Sequence, residues 1–97
     1  MPTLPTTSDS KRQDSLIEYP SSFPIKVMGA KADGFVHAMT QIAKHFDPSF
    51  DANTVELRDS KQGNYLGITL TITATSREQL DEIYRTLSTH PMVKIVL

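Results

Sequence analysis

Apolar and polar residues alternate, then recur at helical spacing, and then do both again along the chain. Phe23, Ile25 and Val27 share one parity, with Pro24, Lys26 and Met28 on the other, so the stretch predicts a half-buried strand that ends at Gly29. Asp33 has the character of a helix N-cap. Phe35, Met39, Ile42 and Phe46 follow at spacings of four, three and four, with Val36 and Ala43 beside them, before Asp47-Pro48 closes the helix. Val55 and Leu57 mark a short strand over Thr54 to Arg58, and the segment from Asp59 to Asn64 has the composition of a turn. From Tyr65 to Ala74 the alternation is regular: Leu66, Ile68, Leu70, Ile72 and Ala74 face one way, with Tyr65, Gly67 and threonines opposite. Ser76 and Gln79 form a capping box ahead of the stripe Leu80, Ile83, Tyr84, Leu87. His90-Pro91 stops that helix, and Val93, Ile95 and Leu97 alternate as a last strand.

Strand, helix, strand, strand, helix, strand is an α+β chain. With right-handed crossovers it predicts a ferredoxin-like βαββαβ sandwich, a four-stranded antiparallel-mixed sheet with two helices on one face. The other face is then uncovered. By parity it carries Lys26, Met28, Glu56, Arg58, Tyr65, Thr69, Thr71, Thr73, Lys94 and Val96. Residues 1–18 have no periodic apolar set and are expected to be a disordered tail, leaving 19–97 as one domain.

Composition narrows the functions. Ten Lys and Arg against eleven Asp and Glu give a formal charge of -1, which argues against nucleic acid or anionic lipid as a bulk electrostatic partner. No run approaches the roughly 20 apolar residues that span a bilayer. Cysteine is absent, which removes thiolate metal sites, disulfides and a Cys nucleophile. The three histidines, His37, His45 and His90, include no pair at i, i+4, so no metal site is expected. RNA-binding modules of this architecture stack bases on aromatics of the central strands, and here only Tyr65, at a strand entry, is aromatic. Asp81 and Glu82 are adjacent on a helix and do not face each other, and no nucleophile-base grouping is apparent, so no catalytic residue or cofactor is assigned. Two places remain. The loop Gly29, Ala30, Lys31, Asp33, Gly34 precedes a helix N-terminus, where a small anion such as a carboxylate can be held. The open face offers Lys26, Met28, Tyr65, Thr69, Lys94 and Val96 to a protein partner. The tip Lys61-Gln62-Gly63-Asn64-Tyr65 reads most simply as a turn.

The segments Tyr19-Pro20-Ser21-Ser22-Phe23-Pro24-Ile25-Lys26-Val27-Met28-Gly29, Ser60-Lys61-Gln62-Gly63-Asn64-Tyr65 and His90-Pro91-Met92-Val93-Lys94-Ile95-Val96-Leu97 resemble the YbeD-like family of small bacterial proteins. The resemblance covers roughly Ile17 to Leu97. It implies a ferredoxin-like fold similar to the ACT regulatory domains, a cytoplasmic setting, and a non-enzymatic regulatory role, with a hint of lipoate metabolism from neighbouring genes. ACT domains commonly place a ligand beside the glycine after their first strand, the position of Gly29, at a subunit interface. The expectation is a regulatory module acting through a protein partner or a small metabolite. The alternative is an interaction adaptor that uses the open face without a ligand. Pairing of that face or of edge strands would give a homodimer.

Overall fold

The computed structural model describes residues 18–97; the segment predicted to be a disordered tail, but for Glu18, lies outside the described residues. The elements are β1 (Ser21–Ala30), α1 (Phe35–Phe46), a 3-10 turn (Ala52–Thr54), β2 (Glu56–Asp59), β3 (Tyr65–Ala74), α2 (Arg77–Ser88) and β4 (Val93–Val96). They form the ferredoxin-like βαββαβ arrangement, with strand order β2-β3-β1-β4. All three ladders are antiparallel, so the sheet expected as antiparallel-mixed is antiparallel throughout. Strands that run the same way, such as β1 and β2, are separated by an oppositely directed neighbour.

β1 and β3 pair over ten residues, from Ser21 opposite Ala74 to Ala30 opposite Tyr65. Their inner parity supplies Ile25, Val27, Leu66, Ile68, Leu70, Ile72 and Ala74 to the core. Phe35, Met39 and Ala43 of α1 and Leu80, Ile83 and Leu87 of α2 close over it. Each is removed from water almost completely, and truncating one of the Leu, Ile or Met side chains among them to Ala costs about 2–5 kcal/mol.

Two polar side chains tie these elements together. Asp47, at the C-terminus of α1, is 6% exposed. Its Oδ1 accepts from the Ser49 N–H (3.0 Å) and hydroxyl (2.5 Å), and its Oδ2 accepts from the Thr73 N–H at 2.8 Å. The capping box at α2 forms in a shifted version: Ser76 Oγ accepts from Gln79 N–H at 3.0 Å, while Gln79 Oε1 accepts from the N–H of Thr75 at 2.7 Å. Gln79 Nε2 also donates to the carbonyls of Phe46 (3.0 Å) and Thr73 (3.2 Å). One amide thus joins the end of α1, the end of β3 and the start of α2.

The structure departs from the sequence expectation at four places. Asp33 is not the cap of α1: Gly34 holds that position at φ 85°, with no side-chain cap, and Phe35 N–H donates to Ala32 O at 3.2 Å. A left-handed glycine turns the chain into the helix through its backbone alone. Gly29 does not end β1 but lies inside it, opposite Leu66 and Val93. The expected strand from Thr54 begins at Glu56, because Asp51 starts a 3-10 turn by accepting from Asn53 N–H at 2.9 Å. Finally, β4 carries a bulge. Val27 faces Val96 and Met28 faces Ile95, but Gly29 faces Val93, leaving Lys94 as the extra residue. Val93 and Val96 therefore pack against the core, whereas Ile95 turns to the open face.

Candidate functional site

The uncovered sheet face is a set of cross-strand rows. Lys26 lies opposite Thr69, and Thr69 opposite Glu56; the C-terminal Leu97 extends this row by bonding its N–H to Lys26 O at 2.7 Å. In the next row Ile95, Met28, Gly67 and Arg58 follow one another across β4, β1, β3 and β2. Pro24 and Thr71 flank the first row, and Tyr65 opposite Ala30 lies beyond the second. The face is concave, holding a depression of ≈ 560 Å³ lined among others by Lys26, Met28, Arg58, Gly67, Thr69 and Leu97. Large apolar side chains stand in water here: Met28 is 39% exposed, Ile95 50% and Leu97 70%. Lys26, Glu56 and Arg58 belong to none of the ion pairs formed among the described residues.

Of the residues expected on this face, Lys26, Met28, Tyr65 and Thr69 are there. Val96 is not: the bulge turns it to the core side, opposite Val27. Lys94 is exposed at the bulge. Sequence reasoning assigned Ile95 and Leu97 to the core, and a one-residue slip exchanges the faces of every residue beyond it. A weak signal was present: in Val93-Lys94-Ile95-Val96-Leu97 both parities are apolar, as they are when both faces of a strand have something to cover.

The loop after β1 is arranged differently. A Cβ on Gly29 would lie 2.1 Å from the Met92 carbonyl oxygen and 2.6 Å from Phe35 Cζ. Glycine is required there by the close passage of another backbone and a core ring. Ala30, Lys31, Asp33 and Gly34 are exposed. Lys31 bonds its Nζ to Asp59 Oδ1 at 2.9 Å and its N–H to Asn64 O at 3.0 Å. The Lys31 ammonium is thus paired with the end of β2, and its backbone N–H is taken by the β2–β3 connection. That connection closes with Ser60 N–H on Tyr65 O and Gly63 N–H on Ser60 O, each 3.0 Å, and with Gly63 at φ 74°. Turn chemistry accounts for its residues.

His37 and His45 are exposed on α1. His90 Nδ1 accepts from Met92 N–H at 3.1 Å, which orders the loop that brings the Met92 carbonyl to Gly29. Among the described residues no group of three His, Asp or Glu side chains converges as metal ligands. Among the described residues Asp47 is the buried carboxylate. Its burial acts to raise its pKa, but hydrogen bonds from Ser49 and Thr73 outweigh it and hold the pKa below the ordinary value. Tyr84, half-buried, is pushed up by burial, and its hydroxyl donates to Leu97 O at 3.5 Å. No helix among the described residues is long and apolar enough to cross a membrane.

Comparison with known proteins gives the chain a family. The UPF0250 protein of Leptothrix cholodnii is 65% identical over 89 residues, covering 92% of this chain and 98% of that protein. A UPF0250 protein of Bordetella pertussis is 60% identical over 85 residues, covering 88% of this chain and 93% of that protein. The solution structure of protein HP0495 from H. pylori has a similar fold, with a TM-score of 0.74 at 19% identity, covering 100% of this chain and 98% of that one. A family model described as "Protein of unknown function (DUF493)" matches residues 14–97. The chain belongs to this DUF493/UPF0250 family of YbeD-like proteins.

Proposed function

We propose that the protein is a non-catalytic regulatory module that acts by docking a protein partner on its uncovered sheet face. The observation that carries this reading is the concave patch of Met28, Gly67, Arg58, Leu97 and Lys26, with Ile95 next to Met28 in its row, where exposed apolar side chains adjoin cations that belong to no ion pair among the described residues. An apolar centre within a polar surround is the make-up of an interaction surface. The non-catalytic part is supported by Asp47, whose carboxylate is committed to three hydrogen bonds that join α1 to β3. A cytoplasmic setting is taken from the family resemblance alone. The metabolite-sensing version, with a ligand at Gly29, Ala30, Lys31, Asp33 and Gly34, has less support. The ring of Phe35 and the carbonyl of Met92 fill the space at Gly29, and Lys31 is paired with Asp59.

The test has two arms. Amide NMR spectra are recorded against amino acids, lipoate and octanoate, and captures from bacterial lysate by the protein and by Met28→Asp and Ile95→Asp variants are compared. We expect a silent loop from Ala30 to Gly34, and a captured protein that both variants lose. Ligand-dependent shifts clustered at that loop, with capture indifferent to both variants, would return the function to metabolite sensing.

A further inference from the structure

The two edges of the sheet are not alike. At one edge β4 carries the bulge, with Lys94 as its exposed extra residue, and both features discourage the addition of a further strand. At the other edge β2 pairs regularly with β3 over Glu56–Asp59 and has neither proline nor bulge. Ser60 N–H donates to Tyr65 O, so by alternation Arg58 and Glu56 bond to β3, while Leu57 and Asp59 turn their N–H and C=O groups outward. Leu57 lies opposite the buried Ile68 on the helix side of the sheet, yet it is 55% exposed. The sheet thus ends here on outward backbone groups and an uncovered leucine.

The sequence Glu56-Leu57-Arg58 is complementary to itself in one register. A strand added antiparallel must set outward-turned residues opposite outward-turned residues, which leaves two copies of β2 the registers centred on Glu56, Leu57 or Arg58. Centred on Leu57, each Leu57 exchanges both hydrogen bonds with Leu57 of the second copy, and Glu56 of each copy faces Arg58 of the other. The neighbouring registers set Glu56 against Glu56 or Arg58 against Arg58, and like charges directly opposite are destabilising. Neither Glu56 nor Arg58 belongs to an ion pair among the described residues. We infer that two copies of this chain associate through β2, antiparallel about a two-fold axis at Leu57, into one continuous antiparallel sheet. The axis is perpendicular to the sheet, so the helices of both copies stay on one side, where the two Leu57 side chains cover each other, and both open faces lie on the other. The inference is independent of the docking reading, because it uses the edge and not what covers the face. A strand of four residues makes a small contact, so the dimer is weak and its population depends on concentration.

The test is sedimentation equilibrium of the full-length chain over micromolar to millimolar concentrations. The unaltered protein is compared with Glu56→Arg, with Arg58→Glu, with an equimolar mixture of these two variants, and with the double exchange Glu56→Arg/Arg58→Glu. Both positions are exposed, and each variant is checked for folding by its amide spectrum. Glu56→Arg sets cation against cation at both pairs, and Arg58→Glu sets carboxylate against carboxylate, whereas the mixture and the double exchange set opposite charges together again. We expect the unaltered protein to dimerise, and each single variant to do so more weakly by on the order of tenfold. The mixture and the double exchange should recover the association of the unaltered protein. A chain that stays monomeric at millimolar concentration, or single variants whose mixture is no more associated than either alone, would overturn the inference. So would a dimer indifferent to both variants in which Met28 and Ile95 signals shift with concentration and those of Leu57 and Asp59 do not, since the contact would then be the open face.

Discussion

Two glycines of the sheet test the account residue by residue, because the same substitution should act oppositely at each. Gly29→Ala forces the Met92 carbonyl and the Phe35 ring apart, and we expect a loss of about 2–3 kcal/mol in urea unfolding. Gly67→Ala meets only an ordinary contact and restricts the unfolded chain, so stability should stay level or rise by about 0.5–1 kcal/mol. Equal destabilisation at both sites would remove the distinction between a close approach and an open position. Asp47 supplies a pH signature. Its folded pKa is lowered, so its contribution is fully present above the ordinary carboxylate pKa and is lost as pH falls through the lowered folded value. In Asp47→Asn the acid-side decline of stability should flatten. At neutral pH the variant should lose about 1–3 kcal/mol, since any amide orientation weakens bonds to the Ser49 and Thr73 donors. The close approach at Gly29 and the bonds of Asp47 were not legible in the sequence. Both depend on atoms brought together from distant segments, Met92 over Gly29 and Thr73 beside Asp47.

Among elements, legibility follows length and regularity. β3 was readable over all ten residues because a period of two persisted from Tyr65 to Ala74, and α2 because its stripe and its Ser76 cap agreed. β4 was not. A strand of four residues gives too little pattern to reveal a bulge, and its one extra residue moved Val96 to the core and Ile95 to water. Ile95 and Leu97, two of the three large apolar side chains that β1 and the β4 segment expose on the candidate face, were therefore hidden, while Lys26, Met28 and Thr69 on the long central strands were found by parity. The start of α1 failed for another reason: Gly34 in the left-handed region does by backbone geometry what Asp33 was expected to do by side chain. At the other junction Gln79 bridges three elements, so Gln79→Ala should cost about 1–2 kcal/mol in thermal unfolding. A cost within the roughly ±0.5 kcal/mol of an ordinary surface substitution would mean that the bridge is not formed in solution.

For the whole molecule, a four-stranded sheet covered by two helices on one side leaves its other side to water or to a partner. Fold alone assigns no function, so the docking reading depends on that face being occupied when other proteins are present. Two methionines make this directly measurable. Met28 is 39% exposed on the face, and Met39 is 0% exposed in the core. The decisive measurement is the methyl NMR spectrum of the methionine-labelled protein in buffer and in bacterial lysate. The account predicts that the Met28 methyl signal shifts or broadens in lysate, that Met39 holds its position, and that Arg58→Glu restores the Met28 signal seen in buffer. A Met28 signal unchanged in lysate, or one that broadens in step with Met39 and is indifferent to Arg58→Glu, would contradict the claim that the open sheet face is the working surface of this protein.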